Sequence, residues 1–329
     1  MSRAIAVVSR MSSVDSTLRA IRSGALDARV VHGTTCEEVL AQTDEAFAIF
    51  CDASELGHVL DRCGDQQARV FALGDAMDEQ TLATCVGDHR VGGIIAVGEK
   101  AERPWELTYV TRRMVAPDEG VPHMGNLLAW GAATLTWTPR TTTQLRQIVD
   151  QVEKVCIRLG VERWQAAHAS TAAHELLMNA MYDAPRDTGG KARYALDRSR
   201  NIELEDHEVP TLVFTITGEH IGLDVIDNTG LLPRRRFYHG ILRGHRNAEH
   251  GDMELDKSHG GAGLGLHTLF RTGSVLRAEL LPRQRTHVSW MLDRRVPRRD
   301  QRAQRRSVLF IPRVPRQVID LEQTDLSPL

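Results

Sequence analysis

The sequence predicts an α/β protein in two parts: a doubly wound, five-stranded parallel sheet, then an α+β half in which helices cover a mixed sheet. Three observations carry this reading. Over the first 115 residues, five short apolar runs alternate with stretches of helical pattern. Beyond residue 132, two long segments of helical period are followed by paired β-rich runs. At 329 residues the chain also exceeds the roughly 100–150 residues usual for one domain.

The apolar runs of the first part are AIAVVS (4–9), ARVVHG (28–33), AFAIFCD (46–52), ARVFALGD (68–75) and VGGIIAVG (91–98). Each is too uniformly apolar to leave one face in water, so the sheet must be covered on both sides. The stretches VDSTLRAIRSGAL and SELGHVLDRCG between them, and RPWELTYVTRRM after them, are the covering helices. This order resembles the receiver domains of two-component signalling. A working receiver carries an acidic pair after its first strand to hold magnesium; here that place reads Ser9-Arg10-Met11. Asp52 stands where the phosphorylated aspartate would, and Lys100 follows the fifth run. Without carboxylates for the metal, the resemblance implies a protein-binding pseudo-receiver that is not phosphorylated, in which Asp52 caps the next helix.

Residues 116–132 mix Pro, Gly and polar groups and form a linker between the receiver-like part (1–115) and a second part (133–292). The second part opens with the strand ATLTWT. A helix follows, with Leu145, Ile148, Val149, Val152, Cys156 and Leu159 at the 3.6 period and Gly160 as its stop. Another helix starts near Glu162. After a polar insertion (186–209), TLVFTITGEHIGLDVID reads as a hairpin turning near Gly218, and 230–260 as a long loop of little apolar content. A glycine-rich turn, GGAGLGLHTLFRTGS, then enters a short helix, and VLRAELLPRQRTHVSWML forms a second hairpin.

Composition narrows the class. With 42% hydrophobic and 26% charged residues and a net charge of −2, the chain has no bulk attraction to nucleic acid or membrane. It has no apolar run near the ~20 residues that cross a bilayer, and a cytoplasmic location is expected. Cys36, Cys51, Cys63, Cys85 and Cys156 form no C-x-x-C pair, so reduced structural thiols are expected. The tail 293–329 holds nine arginines between Asp293 and Arg316. Its prolines forbid one continuous helix, and it reads as a solvated linker to a final strand, SVLFI.

Three polar pieces stand out. In AAHELLMNAMYDAP (172–185), Glu175 and Asn179 lie at i and i+4, on one face of an otherwise apolar helix. A carboxylate there can act as a base or hold a water, and a carboxamide oxygen can ligate magnesium. Asp227 ends an apolar strand and is followed by Asn-Thr-Gly230; its carboxylate can accept a hydrogen bond from an exocyclic amine, while Gly230 lets the main chain approach a ring. In HGGAGLGL, Gly260, Gly261, Gly263 and Gly265 precede a helix and free main-chain N–H groups for phosphate. Neither a P-loop nor a Rossmann spacing is present.

Taken in order, the E-x-x-x-N helix, the Asp-ended strand, the long loop and the Gly-x-Gly-x-Gly turn resemble the boxes of the GHKL ATPases, the superfamily of gyrase, the heat-shock chaperone and sensor histidine kinases. HELLMNAMYDAP is also similar to delta-proteobacterial proteins that join a receiver-like domain to this fold. The resemblance covers about 133–292 and implies a sandwich of mixed sheet and helices that binds ATP and magnesium. Glu175 would position the attacking group, Asn179 would hold magnesium and Asp227 would read adenine. Gly261, Gly263 and Gly265, with Leu266 beside them, would cradle phosphate, and 231–260 would be the lid. The first glycine box departs from Asp-x-Gly-x-Gly, having only Gly230. His174 is not a phosphoacceptor, because Asn179 stands where the acceptor box has proline. His239, His245, His250, His259 and His267 match no zinc spacing and read as solvated loop histidines, and Lys257 as a surface lysine.

The resulting expectation is a cytoplasmic signalling protein, nearest to the anti-sigma-factor serine kinases, that binds ATP with magnesium and phosphorylates or regulates a protein partner. A homodimer is compatible with it, and neither nucleic acid nor membrane is an expected partner. A non-catalytic ATP-dependent switch and a DNA-associated regulator acting through the arginine tail remain as alternatives.

Overall fold

Five parallel strands open the chain: β1 (Ala4–Val8), β2 (Arg29–Gly33), β3 (Ala46–Asp52), β4 (Arg69–Gly74) and β5 (Val91–Ala96). Interleaved with them are α1 (Val14–Gly24), α2 (Cys36–Leu40), α3 (Leu56–Cys63) and α4 (Glu79–Gly87), and α5 (Pro104–Val115) follows. The second half supplies α6 (Met124–Leu127), β6 (Ala133–Trp137), α7 (Thr142–Arg158), α8 (Arg163–Met178), β7 (Thr211–Ile216) and β8 (His220–Asp227). After these come α9 (Arg234–His250), α10 (Gly265–Thr272), β9 (Val275–Leu281), β10 (Arg285–Asp293) and β11 (Ser307–Pro312). The computed structural model describes residues 4–43, 45–64, 68–76, 78–98, 103–128, 132–250 and 265–313, with the main chain alone for 248–250.

Among these residues the protein is mixed α/β, with ten α-helices on one eleven-stranded mixed sheet of order β2-β1-β3-β4-β5-β11-β9-β10-β8-β7-β6. The first five strands are parallel in the 2-1-3-4-5 order of a doubly wound sheet. β11 joins the halves: it runs antiparallel to β5, with Val308 opposite Ile94, and parallel to β9, with Ser307 opposite Val275. Phe310 is 2% exposed and touches Phe237 and Tyr238. The tail stretch SVLFI is thus an interior strand, and its apolar composition follows from burial on both faces.

The helices divide between the two faces as their apolar stripes require. Leu18 and Ile21 of α1 and Leu107 and Val110 of α5 pack on Ile5, Phe50 and Phe71. On the other face Val39, Val59 and Leu82 continue into Ile148, Leu176, Ile241 and Leu269 from α7 to α10. α7 begins with a capping box between Thr141 and Gln144. It buries Leu145, Ile148, Val152 and Cys156, and ends before Gly160, whose φ is 72°. All five cysteines are buried free thiols. None of the described helices is long and apolar enough to cross a membrane.

Four expectations are corrected. The long loop read at 230–260 is helical over Arg234–His250, because Phe237, Tyr238, Ile241 and Leu242, hidden among arginines, are all buried. His245 on that helix is 2% exposed, not a solvated loop histidine. The arginine tail is not simply solvated: Arg306 is 1% exposed and donates to the carbonyls of Arg271 (3.1 Å), Gln301 (2.6 Å) and Gln304 (2.7 Å). A guanidinium with five donors tolerates burial when carbonyls surround it. Asp52 does not cap the following turn; its carboxylate accepts the main-chain N–H of Arg10 at 2.8 Å.

Candidate functional site

The face of the sheet that carries α8, α9 and α10 holds a cleft of about 130 Å³. Its floor comes from two paired strands. Asp227 of β8 lies opposite Thr286 of β10, and Val225 opposite Val288, so alternation turns all four side chains the same way. One wall is the end of α8 with Leu176, Asn179, Ala180 and Asp183; the other is α9 with Arg236, His239, Gly240 and Arg243 at i, i+3, i+4 and i+7. Gly265 and Leu266, where α10 starts, close one end.

Sequence had pointed to several of these. Asn179 faces the cleft and is half-buried, and it opens a π-helical turn (Asn179–Asp183) in which the Ala184 N–H reaches back to the Asn179 carbonyl at 3.1 Å. A π turn widens a helix locally and recurs at functional sites. Here it brings Asp183, four residues beyond Asn179, into the same wall. Asp227 is 8% exposed; its Oδ1 accepts from the Thr229 N–H at 2.9 Å and the Thr229 hydroxyl at 2.5 Å. The Thr286 hydroxyl faces the same carboxylate without completing a hydrogen bond of normal geometry. Burial pushes the Asp227 carboxyl above the usual carboxylate range, and the threonine contacts offset only part of that.

Glu175 sits one turn before Asn179, whose N–H donates to the Glu175 carbonyl. Its side chain, 25% exposed, lies 3.7 Å from His174 Nδ1 and against Gly265. Gly230 occupies a different place from the cleft lining. Its φ is 60°, and a Cβ there would lie 2.2 Å from the Leu281 carbonyl and 2.7 Å from the Arg283 N–H nitrogen. The requirement it meets is close contact with the β9–β10 turn, where the Arg283 N–H donates to its carbonyl at 3.1 Å. Gly261 and Gly263 lie outside the described residues, as do Gly260, Lys100, Lys257 and His259.

The structure adds groups that the sequence did not mark. Asp183 Oδ2 accepts from Arg236 at 3.1 Å and from Arg198 of the polar insertion. Asp183 Oδ1 is buried with no hydrogen-bond partner among the described residues. Four arginines (186, 198, 236 and 243) and two aspartates (183 and 227) line the cleft. The surplus of fixed positive charge, against a buried Asp227 that resists ionisation, suits an anionic ligand. Asp183 was within reach of the i, i+4 argument applied to Asn179. Thr286 required the β8–β10 register, and nothing in the local sequence marked Arg198.

α9 has a second role. While Arg236, His239 and Arg243 face the cleft, Arg234 donates to the carbonyls of Asp88 and Val91 at 2.7 Å each, and the Tyr238 hydroxyl donates to the Gly92 carbonyl at 3.0 Å. Arg246 pairs with Glu79 of α4 at 2.8 Å. The cleft wall is therefore fastened to the first half of the chain.

No family model matches the chain, and no curated protein does. Among solved structures, the SiaB–SiaC complex from Pseudomonas aeruginosa is similar at 14% identity, over 48% of this chain and 88% of that chain, with a TM-score of 0.32. At that level the likeness carries no argument about this protein.

Proposed function

We propose that the protein is a cytoplasmic signalling protein whose second half binds ATP with magnesium in the GHKL manner and phosphorylates or regulates a partner protein. The observation that carries this reading is the convergence of Asn179, Asp227, Gly265 and Leu266, far apart in sequence, on one cleft. The donor set fits the ligand. Asp227 and Thr286 offer a buried polar pair to a purine amine, Val225 and Val288 an apolar floor for the ring, and the surplus arginines a seat for phosphate.

In this reading Asn179 would hold magnesium through its carboxamide oxygen. ATP supplies the transferable phosphoryl group when bound. Glu175, against Gly265, would orient the attacking hydroxyl or water and take up its proton, and Arg236 and Arg198 would steady the negative charge. The first half would serve as a receiver-like binding module. Its Arg10 stands where a working receiver has a carboxylate, and the Arg10 N–H engages Asp52, which supports a role without phosphorylation.

A second reading, a non-catalytic switch, is favoured by α9, one face of which lines the cleft while the other grips β5 and α4. Ligand contacts on Arg236 or His239 would be felt directly by the first half. A DNA-binding tail is less well supported, since Arg305, Arg306 and Arg313 donate to main-chain carbonyls of the fold.

Calorimetry on the full chain with ATP and magnesium tests the proposal. Saturable binding, weakened tenfold or more by Asp227→Asn (~1.4 kcal/mol), supports it; no heat and no thermal shift with millimolar ATP would overturn it. Transfer of label from ATP that is lost in Glu175→Gln separates the kinase from the switch.

A further inference from the structure

On the face of the sheet opposite the cleft, a second polar cluster has no part in the nucleotide reading. Asp224 of β8 is fully buried, and His287 of β10, opposite Ile226, is its diagonal neighbour on that face. The segment joining the two halves crosses above them and brings in His123, the residue before α6. One donor atom from each of His123, Asp224 and His287 lies within 4.8 Å of the other two. The two imidazole rings are 5.6 Å apart between centroids.

Two features distinguish this cluster from an ordinary satisfied core network. First, His123 Nδ1 is buried with no hydrogen-bond partner among the described residues. An ion is one explanation for such an atom, and His123 differs from other histidines with such a ring nitrogen in standing beside a second imidazole and a carboxylate. Second, the carboxylate is oriented as a metal ligand is oriented, by outer groups. Ser289 Oγ donates to Asp224 Oδ1 at 2.6 Å and the Met124 N–H to Oδ2 at 2.7 Å, while His287, itself a member of the cluster, has its Nε2 2.8 Å from Oδ1.

We propose that His123, Asp224 and His287 form a binding site for a divalent cation of the zinc class, which clasps the inter-half segment onto β8 and β10.

Two imidazoles and one carboxylate are donors of that class, with a further position for water. His123 also borders a cavity of about 370 Å³, with Thr134, Thr215, Asn228 and Arg285, from which such a water can enter. Tetrahedral coordination at about 2.0–2.2 Å sets donors roughly 3.3–3.5 Å apart, so the His287 and Asp224 donors, 2.8 Å apart, must open slightly and the His123 donor, within 4.8 Å of both, must come to the same spacing. His287 must carry its proton on Nδ1, freeing Nε2 for the metal in place of its contact with Asp224. The opposing charge is Arg277, whose guanidinium lies 3.8 Å from Asp224 Oδ1. Its Nη2 donates to Ser289 Oγ (2.8 Å) and the Pro122 carbonyl (3.3 Å), its Nε lies 3.5 Å from Glu279, and its face lies over Tyr109 at 4.5 Å. It therefore steadies the ionised carboxylate without occupying the ligand position.

The test uses the full chain, stripped with chelator and titrated with cobalt(II) alone, then with zinc(II) in competition. The expected result is one equivalent of cobalt with visible d–d absorption, displaced by zinc, and weakened at least tenfold in both His123→Gln and His287→Gln. Should His287→Gln fail to fold, His123→Gln, a half-buried position outside the sheet, decides alone. Zinc is also expected to slow amide hydrogen exchange across 116–128. Absence of saturable cobalt binding, or binding unchanged in His123→Gln, would overturn the site.

Discussion

The Glu175 carboxylate occupies the space that a side chain at position 265 would need: a Cβ on Gly265 would lie 2.3 Å from Glu175 Oε2. Gly265→Ala should therefore displace Glu175 without unfolding the protein, since the clashing atom is the end of a flexible, quarter-exposed side chain. The expected stability change is within about 1 kcal/mol, with a clear loss of ATP turnover or binding. Gly230→Ala should do the reverse. Its φ of 60° and its backbone contacts make alanine cost more than about 1 kcal/mol. Urea unfolding alongside ATP titration of both variants separates the two effects.

Asp183, in the wall of the cleft, holds Arg236 and Arg198 on one carboxylate oxygen. If those guanidiniums serve phosphate, the carboxylate competes with the ligand for them. Asp183→Asn should then raise affinity for ATP about three- to tenfold and leave adenosine unchanged, while Arg236→Ala lowers affinity in the order ATP, ADP, AMP. Equal effects on all four ligands, measured by calorimetry, would rule out a phosphate role for this trio.

Much of this architecture is legible in the sequence because burial writes it in composition. The five runs of the first half and the strand at SVLFI are mostly apolar, as strands covered on both faces must be; Arg29 and His32 are the exceptions of edge strand β2. Asn179 and Asp227 are legible because each is a polar residue in an apolar element. α9 was not legible: Phe237-Tyr238 and Ile241-Leu242 are two short pairs split by His239-Gly240 and flanked by arginines, so its stripe is narrow and its mean hydropathy is low. Pairings across the chain are of a different kind. Thr286 meets Asp227 only through strand register, Arg198 reaches Asp183 from an insertion without period, and His123 reaches Asp224 by a crossing of the sheet. None of these leaves a local mark.

The Tyr238 hydroxyl donates to the Gly92 carbonyl from a fully buried position, and the ring rests against Phe310 and under Arg234. Tyr238→Phe keeps the packing and removes a buried hydrogen bond to that carbonyl, so it should cost about 0.5–1.5 kcal/mol in chemical denaturation. If α9 transmits cleft occupancy to the first half, the same variant should also reduce the ATP-induced protection of β5 amides in hydrogen exchange. Protection equal to that of the parent would mean that the two halves respond separately.

His267, in the first turn of α10, has its pKa lowered to about 4, chiefly by burial and further by Arg271 and His245. Its ordinary value is 6.5. Between these two values the unfolded chain binds a proton that the folded chain refuses, so stability falls as pH drops from about 6.5 toward about 4 and gains no further slope from this residue below that. His220 and His287 are shifted the same way by burial, so acid sensitivity should be shared. His267→Gln should therefore shrink, not abolish, the loss of stability between about pH 7 and about pH 5 in urea unfolding. A loss of the same size as in the parent would show that this imidazole is protonated in the folded protein.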